Sequence, residues 1–171
     1  MLTALKKSNK ERELANRLHE AIIGRARAPE FFERFGVPDT LDGRFDLVVL
    51  HSWLALGRLR GEPALHDISQ RLTNTLFAAF DEGLRELGIS DTGMGRRMKK
   101  IADAFYGRFK AYDDAPDGAA MAEALLRNLY RGDAKQSEAA NTISRYVFEA
   151  KAALANSNVA QGELNFGSLP Q

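Results

Sequence analysis

Three histidines are the residues of this chain best suited to metal binding or proton transfer, but their spacing favours neither. His19, His51 and His66 form no HExxH or ExxH pattern, and a carboxylate-bridged metal site in a helical bundle needs the second pattern twice. Glu62 lies four residues before His66, but Pro63 between them indicates an exposed first helical turn. His51 stands among apolar residues, which predicts a hydrogen-bonded core histidine rather than a ligand or a base.

Motifs for nucleotide binding or covalent chemistry are weak or missing. The chain has no cysteine, which excludes disulfides, thiolate metal sites and cysteine nucleophiles. Gly93-Met94-Gly95 is a lone GxG that follows a helical pattern rather than a strand, and no Walker lysine or nucleophile elbow occurs. The sequence therefore predicts a protein that is not an enzyme, with no metal, no cofactor and no small-molecule substrate.

A basic segment over residues 84–100 could bind a polyanion. It imitates a helix-turn-helix, with a helix, a glycine turn and a second, basic helix. Two positions disagree with that motif, because Leu84 stands where a small residue is usual and Arg97 where an apolar residue is usual. A DNA-binding regulator that uses residues 84–100 is the alternative function.

The second helix of that segment is strongly amphipathic. On a helical wheel its apolar side consists of Met94, Met98, Ile101, Phe105, Phe109 and Tyr112. Its opposite side is basic and consists of Arg96, Lys99, Lys100 and Lys110, with Arg97 and Arg108 at the borders. This basic face is either solvated or binds a polyanion, an acidic partner or an anionic membrane surface.

Length and charge limit the possible classes of protein. With 171 residues and a net charge of +1, the chain suits one domain and lacks the positive excess of a nucleic-acid coat protein. The near-zero net charge is the sum of four segments of alternating sign: residues 1–27 carry +4, residues 28–84 carry −4, residues 85–112 carry +4 and residues 113–171 carry −3.

The sequence offers no candidate for a membrane-spanning helix or a signal peptide. The longest uncharged run in the apolar middle, 47–57, is shorter than the ~20 residues of a spanning helix. The N-terminus lacks the apolar region of a signal peptide. We expect a cytoplasmic protein.

Apolar residues recur with helical spacing along nearly the whole chain, and nothing indicates a strand. The predicted helices cover residues 10–28, 30–35, 40–59, 64–87, 90–112, 121–130 and 135–155. The run 47–54 is apolar nearly all round, which is typical of a helix at the centre of a bundle. We predict an all-α fold, a single-domain bundle of six to seven helices over residues 10–155, with a basic N-terminal arm over 1–9 and an extended C-terminal tail over 156–171.

Two stretches of the sequence carry a family resemblance. The first is Phe31-Phe32 followed by GVPDTLDGRFDL over residues 36–47. The second is FDEGLRELGISD over residues 80–91, continued by GRRMKK over 95–100 and AFYGR over 104–108. Together they span about residues 28–115 and resemble the ubiquinol–cytochrome c chaperone family.

That resemblance implies an assembly factor and not an enzyme. Mitochondrial members of the family help newly made cytochrome b into the bc1 respiratory complex, near the ribosome and with a small partner protein. We expect a member without a mitochondrial targeting extension, which fits a bacterial protein. We therefore expect a protein that is peripheral at the cytoplasmic face of the inner membrane and binds newly made cytochrome b.

Candidate contact residues follow from that expected role. An apolar groove near the aromatic residues Phe31, Phe32, Phe35 and Trp53 would meet an apolar client, although ordinary core packing explains the same residues. Anionic lipid or ribosomal RNA would meet the basic residues, which are Arg96, Arg97, Lys99, Lys100 and Arg108, with Lys6, Lys7 and Lys10 at the N-terminus. Arg44 is a further candidate, and Arg44 and Asp46 are expected to pair with charges on the helix predicted over residues 90–112.

Overall fold

Helices make up the regular structure of the part of the chain that the computed structural model describes, residues 2–170, with side chains from residue 7 onward. The α-helices are α1 (Leu2–Ala26), α2 (Glu30–Glu33), α3 (Leu41–Arg60), α4 (His66–Glu86), α5 (Asp91–Asp113), α6 (Gly118–Tyr130) and α7 (Ser137–Leu154). Single 3-10 turns occupy Pro63–Leu65, Ala134–Gln136 and Val159–Gln161. No strand occurs within these residues, and the predicted all-α fold is confirmed.

The observed structure differs from the predicted boundaries mainly at the two ends of the chain. Helix α1 begins at Leu2, so residues 2–9, which were expected to form a separate basic arm, are the first residues of this helix. The side chain of Lys6 lies outside the described residues. The segment after α7, expected as an extended tail, contains a 3-10 turn and buries Val159 and Phe166 in the core. Burial of these apolar side chains stabilises the docked segment.

Helix α3 forms the centre of the bundle. Every residue from Asp46 to Leu56 is buried, and α3 packs against α1, α4, α5, α6 and α7. This explains why its sequence is apolar on every side, since each face of the helix meets another helix.

A close backbone contact sets the start of α3. The Thr40 hydroxyl caps the helix by accepting the backbone N–H of Gly43 at 3.2 Å, while the carboxylate of Asp39 pairs with Arg44 at 2.6 Å. Arg44 thus pairs within its own segment and not, as expected, with a charge on α5. A Cβ on Gly43 would lie 2.0 Å from the carbonyl oxygen of Pro38, so only glycine fits there.

His51 joins three parts of the fold in the core. Its Nδ1–H donates to the Leu47 carbonyl at 2.7 Å, and its Nε2 accepts the hydroxyl of Tyr146 in α7 at 2.8 Å. The rings of Phe31 and Phe166 contact the imidazole edge-on at 5.3 and 5.4 Å. The prediction of a hydrogen-bonded core histidine is confirmed, and burial lowers the pKa of His51 to about 4.

Gly43→Ala should destabilise the protein, because the added methyl group collides with the backbone of Pro38. We expect a loss of roughly 1–3 kcal/mol in the free energy of unfolding, measured by urea denaturation. Gly57→Ala is the matched control in the same helix, since a Cβ there meets nothing within 4 Å. That variant should gain up to about 1 kcal/mol from helix propensity, and an equal loss in both variants would contradict the role given to Gly43.

The stability of the protein should fall as the pH drops from about 6.5 towards 4. In this range the unfolded chain protonates His51 while the folded protein, with its lowered pKa, does not, and the difference amounts to about 3 kcal/mol. Burial also lowers the pKa of His19, which adds to the same trend.

Urea denaturation at several pH values measures this dependence, and His51→Gln should remove most of it. The control His66→Gln, at an exposed position, should keep it. An unchanged pH dependence in His51→Gln would show that other groups cause the loss.

Candidate functional site

A groove of about 1050 Å³ lies between helices α1, α3, α4 and α5 and reaches the end of α6. Helices α1 and α5 both pack against α3 and α4 but not extensively against each other, which leaves the space between them open. The apolar floor of the groove is made of Ile23, Phe45, Val48, Phe80, Leu84, Ile101 and Ala104.

Helical spacing explains how each wall presents its side chains. On α5, Arg97, Ile101, Ala104 and Arg108 recur every three or four residues, so they form one stripe along the helix. On the other side, His19 and Ile23 of α1 and Arg27, which directly follows α1, are four residues apart and face the same space. Both walls therefore carry apolar side chains at the floor and basic ones at the rim.

The rim of the groove is strongly basic. Seven lysine or arginine side chains line the groove against only two carboxylates, those of Asp42 and Glu86. The basic residues are Arg27, Arg44, Arg97, Lys100, Arg108, Arg127 and Arg131. A local positive field therefore surrounds an apolar surface, although the whole chain carries only +1.

A buried carboxylate holds two of these arginines in place. Asp46 of α3 is fully buried; its Oδ1 lies 2.6 Å from Nη2 of Arg108, and its Oδ2 accepts from Nη1 of Arg131 at 2.7 Å. Burial raises the pKa of the Asp46 carboxyl, and the two guanidinium groups oppose that rise. The expected pairing of Asp46 with a base on α5 is confirmed, and Arg108 also lies over the ring of Phe45 at 5.4 Å.

Two exposed leucines add to the apolar lining of the groove. Leu41 at the start of α3 is 64% exposed, and Leu87 just after α4 is 60% exposed. Large apolar side chains that stay exposed next to a polar rim are typical of an interaction surface.

The basic residues that the sequence singled out on α5 divide into two sets. Arg97, Lys100 and Arg108 line the groove, whereas Arg96 and Lys99 are exposed outside it, with Lys99 paired to Asp103 at 2.9 Å. Arg44 of α3 also lines the groove. These positions remain candidates for partner binding.

The predicted aromatic groove is not open. Phe31 is completely buried against His51 and Tyr146, and Trp53 is buried and donates its indole N–H to Asp113 at 2.7 Å. Phe35 is buried as well, and Phe32 is partly buried against the core. These aromatics are therefore core residues, and the apolar surface that is open lies at Phe45, Phe80 and their neighbours.

The contributions of α1 and of the end of α6 to the groove were not predicted from the sequence. Ile23 of α1 and Arg27 just after it belong to a pattern that is typical of an ordinary solvated face. Arg127 and Arg131 are far in sequence from the other residues that line the groove. Arg131 has a left-handed φ of 54° just after α6, and its local sequence does not predict this conformation.

The structure places α5 within the bundle rather than as a projecting recognition helix. Met94 and Phe105 are buried, and Met98 and Ile101 are half-buried. This arrangement disagrees with the helix-turn-helix alternative, which requires residues 93–107 to be exposed for entry into a major groove.

None of the helices described within residues 2–170 combines the length and apolar character needed to cross a membrane. Over the same residues, no three histidine or carboxylate side chains are grouped so as to hold a metal ion.

Asp46→Ala should strongly destabilise the protein, because it leaves the mostly buried Arg108 without its counter-charge. Removal of one partner of a buried ion pair costs roughly 3–5 kcal/mol, which urea denaturation would detect. The control Asp103→Ala removes an exposed carboxylate from the same region and should change the midpoint little. Similar midpoints for the two variants would show that Asp46 does not organise the groove.

Comparison with known proteins gives consistent results. The sequence model of one protein family, described as ubiquinol-cytochrome C chaperone, matches residues 33–161. The chain is 28% identical over 118 residues to ubiquinol-cytochrome-c reductase complex assembly factor 1 of Xenopus laevis, covering 67% of this chain and 59% of the relative. It is 29% identical over 111 residues to the mitochondrial protein CBP3 of Saccharomyces cerevisiae, covering 61% and 33% respectively. The chain thus spans less than two thirds of these relatives.

A bacterial relative is similar over nearly its whole length. The crystal structure of the Cbp3 homolog from Brucella abortus superposes with a TM-score of 0.85 and 38% identity, and the match covers 98% of this chain and 97% of that one. The family match includes α3 to α7, and with them most of the groove. On this evidence the chain belongs to the ubiquinol-cytochrome c chaperone family.

Proposed function

We propose that this protein is a non-enzymatic assembly factor of the cytochrome bc1 complex and that it binds newly made cytochrome b. The observation that carries the proposal is the family match over residues 33–161, which contains four of the five helices that line the groove. The relative from Xenopus laevis is named as an assembly factor of the ubiquinol-cytochrome-c reductase complex.

The chemistry of the groove is consistent with a polypeptide client. Its apolar floor can cover apolar side chains that have not yet reached their final place in a membrane complex, and its basic rim can hold polar flanking groups. An open groove of this kind allows binding and release without a chemical step, which is what a chaperone requires.

Other parts of the function rest on the family resemblance. A small partner protein would join the complex with cytochrome b, and exposed basic residues outside the groove, among them Arg96 and Lys99, would approach the ribosome or an anionic membrane surface. The protein would then work at the cytoplasmic face of the bacterial inner membrane.

Deletion of the gene in a bacterium that makes a bc1 complex tests the proposal. We expect a loss of assembled cytochrome b, measured by native gel electrophoresis and by the haem spectrum of membranes, with recovery when the wild-type gene returns. Unchanged assembled cytochrome b in the deletion strain would refute the assembly function.

Complementation with charge variants tests whether the groove is used. Arg97→Glu with Lys100→Glu places two negative charges at the rim and should fail to restore cytochrome b. Arg96→Glu with Lys99→Glu makes the same charge change on the same helix outside the groove and should restore most of it. If the second pair alone fails, the contact lies on the outer basic face and not in the groove.

A further inference from the structure

We propose that the groove binds an amphipathic α-helix of a partner polypeptide, with the apolar face of that helix on the floor and acidic side chains along both of its flanks. This inference rests on the proposed function, because it names the kind of segment that the chaperone would recognise. Three features of the groove carry it: its shape, the distribution of its charges and an empty position on its floor.

The shape of the groove matches a helix. The stripe on α5 from Arg97 to Arg108 spans twelve residues, or about 16 Å of helix axis, and the stripe from His19 of α1 to Arg27 just after it spans about 12 Å. The walls are thus two helices that present two to three turns each, and α3 and α4 contribute Phe45, Val48, Phe80 and Leu84 to the floor. A further helix laid between them would pack side chains into side chains, as in other helix-in-groove complexes.

The charges of the rim indicate acidic flanks on that helix. Arg108 and Arg131 are partly neutralised by Asp46, and Arg44 by Asp39. Within residues 7–170 no carboxylate forms an ion pair with Arg27, Arg97 or Lys100.

These unneutralised cations stand on both sides of the groove. Arg27 directly follows α1 and lies on that side of the groove, whereas Arg97 and Lys100 belong to α5 on the other side. A single phosphate headgroup would require cations that converge on one point, whereas a helix with carboxylates on both flanks meets both walls.

The floor has a position that a partner can fill. Gly83 of α4 lines the groove, and a Cβ there meets nothing within 4 Å. A Cβ added at this position therefore fits without collision, and a side chain other than glycine favours the helix in which it lies. A larger residue at position 83 is thus a suitable way to block the groove.

Binding of a synthetic helix tests the inference directly. The probe is a fluorescein-labelled amphipathic peptide of about four turns with leucine on one face and glutamate on both flanks, and its partner peptide carries lysine in place of glutamate. Fluorescence anisotropy should show that the glutamate peptide binds at least about tenfold more tightly and that added salt weakens it. Equal affinity for both peptides would overturn the proposed charge recognition.

Blocking the floor provides the structural control. Gly83→Leu should weaken binding of the glutamate peptide about tenfold or more, whereas Gly107→Leu, at an exposed position of α5 outside the groove with equally free space, should leave it nearly unchanged. Circular dichroism melts establish that both variants fold. Equal binding by the two variants would place the peptide elsewhere and overturn the inference.

Binding of lipid vesicles and the phenotype of the deletion strain distinguish a lipid site from a helix site, and failure of this inference from failure of the assembly function. If vesicles of equal parts phosphatidylcholine and phosphatidylglycerol bind in a Gly83-dependent way while the peptide does not, the groove binds lipid and the helix inference is wrong. If the deletion strain loses cytochrome b but the glutamate peptide does not bind, the assembly function stands and the helix inference falls. Peptide binding in the groove combined with normal cytochrome b in the deletion strain refutes only the assembly function.

Discussion

The burial of α3 on all sides is the constraint on which the rest of the structure depends. A polar side chain inside a bundle needs a partner, and three of those on α3 find theirs on other elements. Asp46 holds Arg108 of α5 and Arg131 after α6, His51 accepts the hydroxyl of Tyr146 in α7, and Trp53 donates to Asp113 at the end of α5. The central helix thus fixes the positions of its neighbours by specific contacts as well as by apolar packing.

The same contacts connect the core to the groove. Arg108 pairs with the buried Asp46 and lies against the ring of Phe45. These two contacts keep its guanidinium group between the apolar floor and the basic rim of the groove. Arg131 reaches the same carboxylate from the end of α6 and brings a second charge to that end. The buried carboxylate of Asp46 therefore determines where two positive charges lie on the surface that a partner would contact. The open apolar surface lies where α1 and α5 fail to close over α3 and α4.

Much of the fold could be predicted from the sequence because it is local. Helical spacing and the Gly and Pro positions gave each helix to within a few residues, except for the start of α1, and the apolar run of α3 indicated its central place. The pairing of Asp46 with α5 was predictable from its charge in an apolar setting. The sequence could not predict which aromatic residues are buried in the core and which line the groove. Phe31 and Phe45 are the same residue type and differ only in the helices that cover them.

The basic block of residues 85–112 shows why charge along a sequence does not define a surface. Arg96 and Arg97 are neighbours, yet successive residues on a helix point about 100° apart, and only Arg97 faces the groove. Lys99 and Lys100 divide in the same way, and Arg27, from another block of the sequence, faces Arg97 and Lys100 across the opening. The positive field of the groove is therefore assembled from distant segments. Three of the seven basic residues of this block contribute to it, together with Arg27, Arg44, Arg127 and Arg131. A ligand that needs only a cluster of cations would find it on the outer face of α5, so what distinguishes the groove is that its cations flank an apolar floor.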